Sequence, residues 1–274
     1  MDDAIRQRFT EAAREPRPDL AELCLLIGAV ADPSLDEAGT DAAQMELDRL
    51  AGLLPYGLTA PADWADAAAE LLGGRCGFGG SPADYQRLES SLLHEVLRRR
   101  RGLPILLSVV WMEVVRRAGG PVHGVALPGH FVVGFGDPAG AFVPADPFNG
   151  GRRLGEEDVR LLVAGATGTA PSPAMMEPAD PLDIVLRVLS NIRAWASARP
   201  EHLGTQLWAV ELALLLPHHP ARLRFEHAQL LVRKGDFARG AAEMEAYADV
   251  LAEAEPDAAT AMRRQARAAR ALLN

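Results

Sequence analysis

Residues 92–121 read Leu-Leu-His-Glu-Val-Leu-Arg-Arg-Arg-Arg-Gly-Leu-Pro-Ile-Leu-Leu-Ser-Val-Val-Trp-Met-Glu-Val-Val-Arg-Arg-Ala-Gly-Gly-Pro. A first helix ends in the arginines and Gly102, and a second starts at Pro104, where a missing N–H costs nothing. Gly119-Gly120-Pro121 stops the second. Between the caps, Ile105, Leu106, Leu107, Val109, Val110, Met112, Val114 and Val115 are apolar on almost every face. Such a helix is buried on most sides, so it is expected to be the central helix of its domain. The run Arg98–Arg101 suits the negative end of a helix dipole and is read as closing the helix without any ligand.

Beyond this helix the chain turns to short extended runs, 122–125, 131–135 and 141–144. The last two flank Gly136-Asp-Pro-Ala-Gly140, which has the composition of a hairpin loop. A loop centred on Pro138 pairs Phe135 with Ala141 and His130 with Asp146. Directly opposed residues share one side of the sheet, close enough for an imidazole to meet a carboxylate, whereas a slip of one residue would separate them. A His and an Asp at strand ends, beside the start of a buried helix, have the geometry of a papain-like or transglutaminase-like site. There the helix start carries a cysteine, because the helix dipole and an imidazolium both favour the thiolate. Here that start is Pro104, which has no nucleophilic atom, and Ser108 lies one turn too deep. Two readings of His130 and Asp146 stand side by side: a dyad in a cleft, or a hydrogen bond that ties two strands together.

Three segments organise the chain. Residues 1–72 are helical by periodicity, with Leu20, Leu23, Leu26 and Ile27, then Leu47, Leu50, Leu53 and Leu54, and are broken at Pro55 and Pro61. Residues 73–164 concentrate glycine, proline and β-branched side chains and form the mixed core. Residues 165–274 open with a Pro/Ser/Thr/Gly linker and continue as helices interrupted at Pro200, Pro217–Pro220, Gly235 and Pro256. Their helix pairs resemble a tetratricopeptide repeat at a longer spacing, and too few units are present for a free-standing solenoid. The fold class expected is therefore α+β and helix-rich, with a small antiparallel sheet.

Composition removes several function classes. The net charge is −9, with fifteen Asp and Glu against five Arg in residues 1–70 and a near-neutral remainder. No basic face is available for nucleic acid. No apolar run is long enough for a membrane span, and Met1-Asp2-Asp3 is acidic where a signal peptide is basic, so a cytoplasmic protein is expected. Two cysteines provide neither a disulfide framework nor a Cys-rich zinc site. His94-Glu95 lacks the second histidine of a zinc-protease motif, and His218-His219 lacks a third ligand, so neither a metal nor a cofactor is expected. Cys24 lies on an apolar helix stripe. Cys76, in the glycine-rich loop 73–80, is read as a small hydrophobe, or alternatively as a thiolate reaching His130 from another direction. Glu95 is placed to pair with Arg98 or Arg99 or to reach a cleft, and Asn149 reads as a turn residue near the dyad.

Residues 70–165 resemble the transglutaminase-like core of bacterial SirB-one type proteins. The likeness rests on Cys76-Gly-Phe-Gly-Gly80 with Asp84-Tyr85, on Leu92 to Pro104, on Leu127-Pro-Gly-His-Phe131 and on Asp146-Pro-Phe-Asn-Gly-Gly151. It implies a transglutaminase-like domain followed by tetratricopeptide-type helices, with His130 and Asp146 as the second and third members of a Cys, His, Asp order and Pro104 in the place of the cysteine. Ser81, Ser90 and His94 stand where the family often has asparagine. The expected function is a non-catalytic binding or regulatory protein. Its cleft, with Glu95, Pro104, Ser108 and Asn149 beside the dyad, would take a peptide or small ligand, and its C-terminal helices a protein partner. The alternative is a thiol-dependent amide hydrolase or acyl transferase using Cys76.

Overall fold

A computed structural model describes residues 3–272; Met1, Asp2, Leu273 and Asn274 lie outside the described residues. By packing, the chain forms two compact units, one running from Glu15 to Val188, the other combining the chain up to Arg14 with that from Leu189 onward.

In the unit from Glu15 to Val188, helices α2 (Leu20–Ala31), α3 (Glu37–Ala51) and α4 (Pro61–Ala68) come first. Asp19 and Asp36 cap α2 and α3, accepting from the N–H groups of Glu22 (2.9 Å) and Gly39 (2.8 Å). Helix α4 runs into a π-helical turn, Ala69–Arg75, which closes at Cys76. Two 3-10 turns, Pro82–Gln86 and Leu88–Ser91, lead to α5 (Leu93–Arg99) and then to α6 (Pro104–Arg117). Pro104 opens α6, and every residue from Pro104 to Val115 is buried. Helix α6 packs against α3, α5 and a sheet of β1 (Val122–Val125), β2 (Val132–Gly136), β3 (Phe142–Asp146) and β4 (Arg152–Arg153). The strands lie in chain order and are all antiparallel. Helix α7 (Glu156–Thr167) covers one face through Val159 and Val163 against Val125, Leu127 and Val132. It extends into the stretch read as linker and ends at Gly168, whose φ of 72° suits only glycine comfortably.

The hairpin differs from the sequence expectation by its centre. The pairs are Phe135 with Val143 and Gly136 with Phe142, so the turn centres one residue later than Pro138 and His130 stands diagonal to Asp146. Because that moves each pairing by two residues, both side chains stay on the same face.

The arginine run caps the helix only in part: Arg98 stays exposed beside Glu95, and the other three pair with acids from earlier elements. Only Arg98 and Arg99 lie in the last turn of α5, and Arg100 adopts the left-handed region at φ 59°. Arg100 pairs with Glu46 (2.5 Å) and lies 4.6 Å over the Phe78 ring. Arg101 (3.2 Å) and Arg99 (3.9 Å) converge on the buried Asp84, which also accepts from Ser81 and Ser90.

The second unit holds α1 (Asp3–Ala12), which packs on α9 (Leu203–Leu215), followed by α10 (Arg222–Lys234), α11 (Phe237–Leu251) and α12 (Pro256–Ala271). Helix α8 (Pro181–Ser197) carries the chain from one unit to the other. Small residues let the hairpins close: a Cβ at Gly240 would meet the Ala228 carbonyl at 2.8 Å, and Ala241, Ala248, Ala259 and Ala266 fill the α11–α12 seam.

Candidate functional site

His130 follows the turn at Leu127-Pro-Gly129, where Gly129 has φ 70°. The turn is clamped from α8: one Arg187 nitrogen donates to the carbonyls of Leu127 (3.0 Å) and His130 (2.7 Å), with the guanidinium 5.5 Å over the Phe131 ring. Ser108, in the second turn of α6, donates to the Phe131 carbonyl (3.3 Å) and so pegs the same segment from below. Asp146 ends β3 and caps the 3-10 turn Pro147–Asn149, accepting from Phe148 N–H (3.0 Å) and Asn149 Nδ2 (2.6 Å).

These two backbone devices bring His130 Nε2 to 3.0 Å from Asp146 Oδ1, at ion-pair distance though off the line of a hydrogen bond. Nε2 is the ring nitrogen that faces the Asp146 carboxylate. Burial pushes the Asp146 carboxyl up, but His130, Asn149 and the Phe148 N–H outweigh it, and the group is held below the ordinary carboxylate value. The Phe148 ring meets His130 edge-on (6.1 Å) and Tyr85 at 6.2 Å. Burial, then the nearby Asp146 charge, pushes the Tyr85 hydroxyl up. Burial pushes Arg187 down, and among the described residues no carboxylate pairs with it.

Next to Phe148 the glycine-rich loop packs close, with the Gly80 N–H donating to the Phe148 carbonyl at 2.9 Å. A Cβ at Gly73 would lie 2.0 Å from the Gly150 carbonyl oxygen, and one at Gly80 1.9 Å from the Phe148 ring. Gly150 and Gly151 both have positive φ (69° and 84°), so Asn149-Gly-Gly crosses the glycine-rich loop at backbone contact distance.

The residues expected at the site divide into two groups. His130, Asp146 and Asn149 meet, and Ser108 supports them from beneath. Pro104 is buried at the first position of α6, and neither Cys nor Ser lies in that turn. Glu95 instead holds Arg98 (2.6 and 3.0 Å). Cys76 ends the π turn within electrostatic reach of Arg49 on α3. Cys24 is core, and burial pushes its thiol far up. Arg187 escaped the sequence reading because it is an ordinary position on an amphipathic helix 57 residues from His130. Tyr85 and Phe148 were inside the quoted motifs, but nothing in their spacing set them against the dyad. A separate group, Asp32, His94 and Glu95, brings three potential ligand atoms within 4.8 Å of one another.

Comparison with known proteins agrees with this architecture. Residues 41–190 match the transglutaminase-like superfamily, and residues 192–274 match the tetratricopeptide repeat. A UPF0162 protein of Pseudomonas aeruginosa is 34% identical over 203 residues, 73% of each chain. A UPF0162 protein of Xylella fastidiosa is 34% identical over 161 residues, so the matched region spans about half, 55%, of each chain. Mouse F-box only protein 21 is 25% identical over 166 residues, 58% of this chain and 26% of its own length. No helix among the described residues is long and apolar enough to cross a membrane. With its core, its His130–Asp146 pair and its C-terminal helical hairpins in place, the chain belongs to the transglutaminase-like superfamily and carries a tetratricopeptide-repeat region.

Proposed function

We propose that this chain is a non-catalytic binding or regulatory protein in which the transglutaminase-like cleft holds a ligand. The carrying observation is Pro104 at the first position of α6, where the resemblance to active transglutaminase-like enzymes implies a cysteine and proline offers no nucleophilic atom. His130, Asp146, Asn149, Tyr85 and Arg187 remain, a set suited to holding a peptide or small molecule. Arg187, half-buried and without a carboxylate partner among the described residues, favours a ligand that carries an anionic group. The helical hairpins take a protein partner, for which α9 to α12 offer a groove of about 570 Å³ lined by Gln206, Gln229, Arg233, Met244 and Gln265.

The test is twofold. Peptide-array or equilibrium binding to the full chain is expected to be lost in His130→Ala and weakened in Arg187→Lys, with no amide turnover by the parent protein. Amide hydrolysis or acyl transfer abolished by both Cys76→Ala and His130→Ala would overturn the proposal in favour of a thiol enzyme.

A further inference from the structure

His94, on α5, has a side chain only 10% exposed, and neither ring nitrogen has a hydrogen-bond partner among the described residues. Buried polar atoms left unpaired in a native fold call for an explanation, an ion among them. The ring cannot easily leave its place: it sits on Gly28 of α2, where a Cβ would fall 2.6 Å from Nδ1. Its Nε2 lies 3.5 Å from Asp32 Oδ2, too long for a hydrogen bond, and the Glu95 carboxylate approaches the same point. Asp32 is the C-cap of α2, and its other oxygen is engaged by the Ser34 N–H (3.0 Å) and hydroxyl (2.6 Å), which leaves Oδ2 unspent.

We propose that Asp32, His94 and Glu95 form a binding site for a first-row divalent cation, with Zn²⁺ the first choice. One imidazole nitrogen and two carboxylate oxygens are a donor set this ion accepts, and water completes a tetrahedron. With bonds of about 2.0–2.2 Å, tetrahedral ligand atoms stand roughly 3.3–3.6 Å apart. The His94–Asp32 approach already has that length, and the whole set needs only a small contraction from 4.8 Å. Arg98 is the resident competitor: it donates to both Glu95 oxygens, yet its side chain is 71% exposed and can turn into water. A bound ion would fasten the end of α2 to α5.

The test uses the full chain, stripped with a chelator and titrated with Zn²⁺ against a chromophoric competitor, with Co²⁺ absorption reporting geometry. One equivalent is expected to bind with a tetrahedral Co²⁺ spectrum and to raise the melting temperature. Because loss of groups behind the ligands already costs about 10–100-fold in metal affinity, His94→Ala and Asp32→Asn should each weaken binding at least about tenfold. Arg98→Ala should tighten it. Asp32→Asn keeps an oxygen for the Ser34 turn and so reports even if His94→Ala fails to fold. Zn²⁺ affinity and Co²⁺ spectrum indistinguishable between the parent and Asp32→Asn, or no uptake by the parent, would overturn the site.

Discussion

Replacing Asp84 by asparagine asks whether the arginine run is fastened from inside the fold. The carboxylate is 5% exposed and its Oδ2 accepts from the Ser81 N–H and hydroxyl, both at 2.8 Å, and from Arg101 at 3.2 Å. Oδ1 faces the Ser90 hydroxyl and Arg99. An asparagine can keep its oxygen at the Oδ2 position and turn its amide toward Ser90, whose hydroxyl can accept as well as donate. What disappears is the charge facing two guanidinium groups. Breaking a buried pair by removing one partner costs about 3–5 kcal/mol. Arg101 is 41% exposed, so water recovers part of that and about 2–3 kcal/mol is the expected loss. For a unit of this size each kcal/mol moves the melting temperature by about 2–4 °C, which gives a fall of roughly 4–12 °C. Calorimetry of the full chain reads it, and the double variant with Arg101→Gln should lose less than the sum of the singles. A fall below about 2 °C, or strict additivity, would show that solvent and not Asp84 balances these arginines.

Three further outcomes follow from particular contacts. Gly80→Ala drives a methyl into the Phe148 ring and is expected to cost about 1–3 kcal/mol by overpacking while displacing the ring edge that meets His130; chemical denaturation and ligand binding check both parts. His227, in the second unit, is opposed by burial but pulled up more strongly by Glu211 (3.6 Å) and Glu243 (2.5 Å), so its pKa is raised. A raised pKa contributes stability that is complete below the unfolded value of about 6.5 and is lost as pH rises through the folded one. Melting temperature should therefore fall as pH rises from about 6.5 through the folded value, and His227→Gln should flatten the fall. Ser108→Ala removes a buried peg beneath Phe131 and should cost about 1 kcal/mol without moving the helix, measurable as a shift in denaturation midpoint.

Much of this architecture is written locally in the chain. Pro104 and Gly119-Gly120-Pro121 delimit α6 because proline and glycine constrain the backbone whatever surrounds them. The dyad was legible for a similar reason: alternation in the strands fixes the face, and the face survives a two-residue error in register. What escaped depends on distant segments. Arg187 reaches His130 from α8, Asp84 gathers arginines from a later helix, and Asp32 meets His94 across 62 positions. No periodicity encodes such meetings, because they are made by packing. The arginine run shows the limit most directly: its composition matched a helix end, and its partners, Glu46 and Asp84, lie upstream in other elements.

The backbone crossing of Gly73 with Gly150 sets a rule for how this part of the fold can change. On that side there is no room for a side chain, since the carbonyl at residue 150 already occupies the place of a Cβ. Variation is tolerated instead at side chains beside the crossing, of which Tyr85 is 48% exposed. A library randomised at Tyr85 should retain folded members at high frequency, whereas one that includes Gly73, Gly80 or Gly151 should be depleted before any selection for binding begins.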